Sequence, residues 1–391
     1  MRLFETADLY DYESQLTTAE KAALTRLRGF LYENVAPIVD DYWERGEFPE
    51  QLIEGFAALD MLKPRELLAE GIEVPRAMFE GFRILEIARV DASVATFFSG
   101  QATMITSAVL HGGSPEQVAE LMPRIRDYDL RGVFAITEPD HGSDVARGLE
   151  TTARREGENW VLDGEKKWIG SAAYASHVCV IAKEESGAMR AFLVPTDSPG
   201  FRMEKIRGKV SLRIVNNAHI TMTGVVVPES LRLQGVDRFA DVGLMLRHMR
   251  ASAVWLAVGL QIGAYENALR YATTREQFGR PIAGFQLVQE KIAHMLGNIT
   301  ASLGMAVRLA QLQEDGVYRD EDSAMAKYWV SARMRETVAL AREVCGGNGI
   351  LLETGVMRFF ADAEAVYTYE GTNEISALVT GRGATGVSAF V

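Results

Sequence analysis

Hydrophobic positions along the chain change their period twice. Over roughly residues 1–125 they recur at helical spacing, as in the run containing Leu24, Leu27, Leu31 and Val35. Thr17-Thr18-Ala19-Glu20 precedes that run in the form of a capping box, with a hydroxyl and a carboxylate placed to satisfy the first free N–H groups. Pro49 and Pro75 are read as first-turn residues of two further helices, and Ser114-Pro115-Glu116-Gln117 as the start of another. From roughly 130 to 235 the pattern shortens. Trp160-Val161-Leu162 and the stretches 177–182, 191–194 and 224–227 are brief apolar runs between Gly, Asn and Asp turns, which predicts a small antiparallel barrel or sandwich. From roughly 236 the helical period returns in long runs at 240–272, 285–314 and 323–344, with Gly316 breaking the chain between the last two. Long helices with short connections predict an antiparallel bundle. Helices, then strands, then helices is not the alternation of a doubly wound α/β fold. No internal repeat or low-complexity tail is visible.

Composition narrows the partners. The 391 residues are 48% hydrophobic and 24% charged, ordinary for a globular chain. The formal charge of −12 argues against nucleic acid and against an anionic membrane surface, while leaving room for local arginines to hold a phosphate. Only Cys179 and Cys345 are present, so neither a disulfide framework nor a structural zinc site is expected. The six histidines have no metal-ligand spacing, and no metal is expected. The first residues carry acids and no apolar core of a signal peptide, and no apolar run reaches membrane-spanning length. A reducing, cytoplasmic setting is the expectation. Two motifs are set aside. Asn298-Ile299-Thr300 is a glycosylation sequon without a secretory context. Gly381 to Gly386 fits G-x-G-x-x-G, but a helical stretch precedes it and too few residues follow for the strand–helix–strand unit that motif requires.

Four segments combine chemistry with a break in periodicity. Phe134 to Asp144 starts as a strand and opens into a loop whose Gly142-Ser143 pair can approach an anion closely. Lys166-Lys167-Trp168-Ile169-Gly170-Ser171 sets an indole beside small residues, as the wall of a flat ring would need. Arg275 to Ile282, followed by Phe285-Gln286, brings two arginines suited to phosphate and amides suited to a base edge. In Tyr367 to Glu374, Glu370 stands between an aromatic residue and Gly371 at a helix entry, where an apolar wall would raise its pKa toward that of a working general base. The competing reading of Glu370 is a carboxylate that caps the helix.

In this order and at these separations the segments resemble the acyl-CoA dehydrogenase superfamily over nearly the whole chain. The resemblance is closest in Thr137-Glu138-Pro139, Gly142-Ser143-Asp144, Arg275 with Gln277-Phe278-Gly279, Gly346-Gly347-Asn348-Gly349 and Tyr369-Glu370-Gly371-Thr372. Cys345 to Ile350 and Tyr367 to Thr372 with Gly381-Arg382 look most like the branch of glutaryl-CoA dehydrogenases and plant short-chain acyl-CoA oxidases. The resemblance implies an α+β multidomain fold: an N-terminal all-α domain over 1–128, a middle antiparallel β-barrel over 129–236 and a C-terminal four-helix bundle over 237–391. It also implies FAD as cofactor, usually in a homotetramer.

Carried over by position, Glu370 would take the α-proton of an acyl-CoA and hydride would pass to FAD. Thr137, Gly142, Ser143, Trp168 and Ser171 would contact FAD from the middle domain. Arg275, Gln277, Phe278, Gln286 and Gly347 would reach the FAD of a neighbouring subunit, and Thr372 would bond the flavin. Ser143, Arg250, Gly371 and Arg382 would contact substrate. Two positions depart from the family pattern. Relatives often have Ile-Thr after the tryptophan, whereas Ile169-Gly170-Ser171 follows here, so the hydroxyl contact to the flavin either passes to Ser171 or is lost; and Glu343 takes the place of a glutamine. A third departure concerns substrate. Around Arg89 to Thr96 glutaryl-CoA dehydrogenases carry an arginine for the distal carboxylate, whereas this chain has Val94 and Ala95. An uncompensated buried carboxylate costs several kcal/mol, so a neutral, short acyl group is expected. The expected activity is α,β-dehydrogenation to a trans-2-enoyl-CoA in fatty acid metabolism, with electrons passed to an electron-transfer flavoprotein. The alternatives are an oxidase using O2, a glutaryl-CoA dehydrogenase-like activity and a non-catalytic, nucleic-acid-binding member.

Overall fold

The structure is a computed structural model that describes residues 6–390; of the start read above for a signal peptide, Met1 to Glu5 lie outside the described residues. In chain order the helices and strands are α1 (Thr18–Phe30), α2 (Val39–Arg45), α3 (Gln51–Leu59), α4 (Arg65–Leu68), α5 (Ala77–Val90), α6 (Ala92–Ser99), α7 (Thr106–Gly112), α8 (Pro115–Arg126), β1 (Gly132–Ala135), α9 (Val145–Gly148), β2 (Thr152–Glu156), β3 (Asn159–Gly170), β4 (His177–Glu184), β5 (Met189–Pro195), β6 (Phe201–Lys205) and β7 (Asn217–Pro228). They continue with α10 (Phe239–Thr274), β8 (Glu276–Gln277), β9 (Arg280–Pro281), α11 (Gln286–Glu314), α12 (Asp320–Val344), α13 (Val356–Thr368) and α14 (Asn373–Thr385). They gather into two compact units, one of residues 1–95, 210–214 and 250–391, the other of 96–209 and 215–249.

The first unit is helical. Its capping box forms as read: Glu20 N donates to the Thr17 hydroxyl and Thr17 N to the Glu20 carboxylate at 2.8 Å. Pro49 and Pro75 differ from expectation. The N-caps are Glu50 and Arg76, so each proline ends the preceding segment instead of occupying the first turn. Helix α5 is buried almost all round, from Met78 to Ala88. Its polar members are paired: Arg83 donates to the Met61 carbonyl at 2.6 Å and Glu86 accepts from Arg28 at 2.8 Å. Close approach to α10 depends on Gly81, where a Cβ would fall inside the Trp255 indole, and on Gly259, which lies against the Leu85 carbonyl. Gly81→Val is therefore expected to destabilise the protein by about 1–3 kcal/mol or more through overpacking, read as a lowered thermal midpoint. On α13, Arg358 bonds Asp91 at 2.6 Å and also Asp40. Asp362 accepts from Trp43 Nε1 at 3.2 Å and Leu212 N at 2.7 Å, which fastens the 210–214 segment to this unit. Gly316, at φ +69, turns the chain between α11 and α12. The sequon is interior: Asn298 is buried in α11 and donates to Glu336 and Thr337. The G-x-G-x-x-G stretch lies in α14, whose end is capped by left-handed Gly386.

The second unit is a sheet with helices on one face. The strand order is β1-β4-β2-β3-β7-β6, with β5 on the other edge of β4. Most pairings are antiparallel as expected, but β1 and β2 both run parallel to β4. They occupy successive stretches of the same β4 edge, at 177–180 and 183–184. In effect they are one strand interrupted by the excursion 136–151, and the chain reaches β4 only after passing through β3, the long connection that parallel pairing needs in place of a hairpin. The near-continuous apolar run of β4 follows from burial on both faces. Val178, Val180 and Ala182 join a core with Trp160, Phe192 and Val225. Cys179 and Ile181 join another with Val109 and Ile125 of α7 and α8 and with Met245 of α10. Helix α8 begins with the Ser114–Gln117 capping box and Pro115 in its first turn. Buried Gln101, in a π-turn between α6 and α7, accepts from Gly132 N at 3.0 Å and donates to the Ile125 and Leu130 carbonyls, which fixes where β1 starts.

Candidate functional site

Within the sheet unit the excursion carries Thr137, Gly142 and Ser143. Its neck is closed by Glu138, whose buried carboxylate accepts from Glu150 N at 2.6 Å, Thr151 N at 2.9 Å and the Thr151 hydroxyl. Lys166 Nζ, fully buried, donates to Glu138 at 2.8 Å and to the Ile136 carbonyl at 3.1 Å. Burial alone would raise the Glu138 carboxyl, but Lys166 and the hydrogen bonds outweigh it and hold it below the usual range. Burial pushes the Lys166 ammonium down to about 8, against the pull of Glu138. Lys167 N donates to the Thr137 carbonyl at 2.8 Å, so the end of β1 is tied to the strand that carries Trp168.

That strand bulges where the aromatic stands. Lys166 pairs with Ile220 and Ile169 with Ala218, one residue too many on β3, and Trp168 takes φ 66. A bulge re-aims a side chain; here the indole is 53% exposed on a face otherwise used for packing. Ser171, at φ 61, is buried beside it and donates its N–H to the Asn216 carbonyl. Gly142 and Ser143 are exposed, with open space around Gly142. His141 bonds Asp144 at 2.8 Å and is raised, chiefly by that bond. Thr137, Trp168 and Ser171 are thus brought together on one framework, with the Gly142–Ser143 loop hung from it.

Within the helical unit the loop between α13 and α14 carries Glu370 at φ 56 and Gly371 at φ 87. The capping reading fails: Thr372 caps α14, its hydroxyl accepting from Ile375 N at 3.2 Å, and Glu370 is left for other work. Glu370 keeps a partly exposed side, although protein surrounds it on the others. Burial raises its carboxyl to about 7, with Arg250 and Lys327 pulling the other way. Arg250 is buried, donates to Ser323 at 3.3 Å and has an Nε with no hydrogen-bond partner among the described residues. Its guanidinium lies 3.9 Å from the position that a Cβ on Gly371 would take. A buried guanidinium with an unused Nε beside a raised carboxyl is the kind of arrangement that clusters at functional sites. Arg382, on α14, is half exposed and 4.0 Å from Asp320.

The remaining residues are on the surface of this unit. Phe278 and Gly279 form a two-residue hairpin turn between β8 and β9, both at positive φ, and Phe278 is 93% exposed. Arg275, Gln277 and Gln286 are exposed around it. Gly347 is exposed in the turn after α12, and Glu343 is paired with Lys291 at 2.8 Å. Trp168, Ser171, Phe278 and Glu370 are all non-glycine residues at positive φ, a conformation kept only where surroundings over-determine it and concentrated at functional positions. Reasoning from sequence missed Glu138, Lys166, Gln101 and a polar stripe on α12. The stripe had a signal, Ser323, Lys327 and Ser331 at steps of four on a helix that is otherwise apolar on that side.

The groups in the sheet unit, a projecting indole, hydroxyls and an open Gly-Ser loop, fit a flavin ring and its phosphates. The exposed Arg275 and Arg280 fit a dinucleotide's charge. An indole, hydroxyls and a Gly-Ser loop in one unit and a raised carboxyl in the other are the kinds of group that an FAD-dependent oxidoreductase uses. Three family models match the chain: acyl-CoA dehydrogenase N-terminal domain over 17–129, middle domain over 133–225 and C-terminal domain over 239–385. The chain belongs to the acyl-CoA dehydrogenase family. It is 31% identical to the cyclohex-1-ene-1-carbonyl-CoA dehydrogenase of Geobacter metallireducens over 94% of this chain and 98% of the relative. It is 29% identical to subunit CarC of the caffeyl-CoA reductase-Etf complex of Acetobacterium woodii over 89% and 93%. Among solved structures, a glutaryl-CoA dehydrogenase from Mycobacterium smegmatis in complex with FADH2 superposes with a TM-score of 0.92 at 31% identity, covering 99% of this chain and 100% of that one.

Proposed function

We propose that the protein removes the α-proton and the β-hydrogen of a short, neutral acyl-CoA to give the trans-2-enoyl-CoA, with Glu370 as the base. The observation that carries this is the Glu370 loop: a carboxyl raised to about 7, partly exposed, at positive φ and not used as a cap. A base near working pH holds the right protonation state while keeping driving force for proton transfer. FAD, when bound, supplies the acceptor for the β-hydride. Thr137, Gly142, Ser143, Trp168, Ser171 and Thr372 hold it, and Arg275, Gln277, Phe278, Gln286 and Gly347 reach the FAD of a neighbouring subunit in a homotetramer. An aromatic as exposed as Phe278 supports that last assignment. Ser143, Arg250, Gly371 and Arg382 bind the acyl-CoA. The domains run 1–128, 129–236 and 237–391. The electron acceptor is an electron-transfer flavoprotein, a choice supported by the likeness to CarC, and the enzyme works in cytoplasmic fatty acid metabolism.

The neutral acyl group rests on Val94 and Ala95, both fully buried, and on two nearby cations that are already compensated, Arg358 by Asp91 and Asp40 and Arg89 by Glu266. Anaerobic bleaching of the yellow holoenzyme by a panel of thioesters tests the reading. Butyryl-CoA is expected to bleach it at least about tenfold faster than glutaryl-CoA, given the cost of an unpaired carboxylate. Faster reduction by glutaryl-CoA would refute the substrate class, and no bleaching by any thioester would refute the activity.

A further inference from the structure

Ser323, Lys327 and Ser331 are all buried and recur every four residues along one face of α12. That face meets the Glu370 loop. Ser323 accepts from Arg250 at 3.3 Å, Lys327 Nζ donates to the Tyr367 carbonyl at 2.6 Å and the Gly371 carbonyl at 2.7 Å, and Ser331 donates to Asn373 at 3.0 Å. The two carbonyls that Lys327 holds flank Glu370. One belongs to the last turn of α13, where helical carbonyls lack partners within the helix. The other stands one residue before Thr372, the N-cap of α14. One ammonium thus closes the neck of the loop whose apex is Glu370. A neutral donor would satisfy carbonyls at less cost, since burying an ammonium is expensive. Lys327 forms no ion pair among the described residues; the charges facing it are Glu370, Arg250 from α10 and Glu374 from α14, and Arg250 faces Asp320 and Tyr318 in turn.

We propose that Lys327 is a positioning residue for the base: it holds the loop in the form that presents Glu370 and favours the ionised carboxylate. This deepens the reading of Glu370 as base and rests on it. Burial pushes Lys327 itself down to about 8, so it carries its charge at the pH where Glu370 must lose its proton.

The test uses holoenzyme and an acyl-CoA with sulfur in place of the β-carbon, which can lose its α-proton but has no β-hydride to give. Long-wavelength absorbance of the resulting anion against the flavin, followed with pH, reads deprotonation without turnover. Lys327→Gln keeps two N–H donors and loses the charge. Its midpoint is expected to move up by about one pH unit, with the final absorbance retained. Lys327→Met loses both; the same shift is expected, with the absorbance also developing about 10²-fold more slowly after mixing, as a misplaced base would give. Thermal melting checks that each variant is folded, and where the Met variant does not fold the Gln variant decides. Folded variants that titrate as the wild type does overturn the proposal. A wild type that gives no such absorbance, or a Glu370→Gln variant that keeps it, overturns the reading of the base instead.

Discussion

Glu370→Gln is expected to keep FAD and acyl-CoA bound and to slow bleaching by acyl-CoA by about 10²–10⁴-fold, the usual contribution of a positioned base. Glutamine matches the shape of the carboxylate but cannot accept a proton. The wild-type rate of flavin reduction should rise with pH through about 7 and level off above it, because the ionised carboxylate is the active form. That limb should vanish in the variant. Stability should move the opposite way. A carboxyl raised in the folded state is a burden once ionised: the penalty is absent below the ordinary glutamate pKa, grows up to about 7 and is complete above it. Glu370→Gln should therefore melt at or above the wild-type temperature at pH 8. A variant that melts lower, or one that bleaches near the normal rate, contradicts this role.

Glu138→Leu should be the most destabilising of the substitutions considered, by about 3–5 kcal/mol, since it strands a buried ammonium. It also deprives the N–H groups of Glu150 and Thr151 of their acceptor. The neck of the 136–151 excursion would then open and loosen the placement of Thr137 and, through the Lys167 N–H bond, of Trp168. The expected result is a lower denaturant midpoint together with a reduced flavin content. Adding Lys166→Met should recover part of the stability, because the isolated charge is removed and two apolar groups replace the pair. No recovery in the double variant would show that the hydrogen bonds to the 150–151 backbone, and not the ion pair, carry the effect. In the wild type the lowered Glu138 carboxyl contributes stability that is present above the ordinary glutamate pKa and fades as pH falls through its folded value.

Local signals in the sequence were sufficient for the order of elements. The runs at 240–272 and 323–344 fall within α10 and α12, and that at 285–314 is α11 together with its N-cap Phe285; helix ends are set by turn chemistry such as Gly316. The site segments were legible because each broke a period with glycine, hydroxyl and aromatic residues. What was not legible depends on distant pairing. Lys166 looks like a solvated strand residue until Glu138 is found beside it. Lys327 looks like the polar side of a helix until the Tyr367 and Gly371 carbonyls arrive from the end of α13 and the loop after it. The parallel course of β1 and β2 along β4 hides in the same way, since nothing in either short strand names its partner. The strained backbone at Trp168 and Glu370 also contradicts local preference, which favours glycine or asparagine at positive φ.

The two-sided burial of β4 limits how the chain can be divided. A fragment trimmed to the strands alone would strip Cys179, Ile181 and Leu193 of the cover given by α7, α8 and the first turns of α10. It would present a flat, uncharged, β-rich slab, the kind of surface on which chains stick to one another. The smallest piece fit for grafting or separate expression is therefore the sheet together with its helices, although that cover is split in sequence, with α7 and α8 before the first strand and the first turns of α10 after the last strand of the sheet.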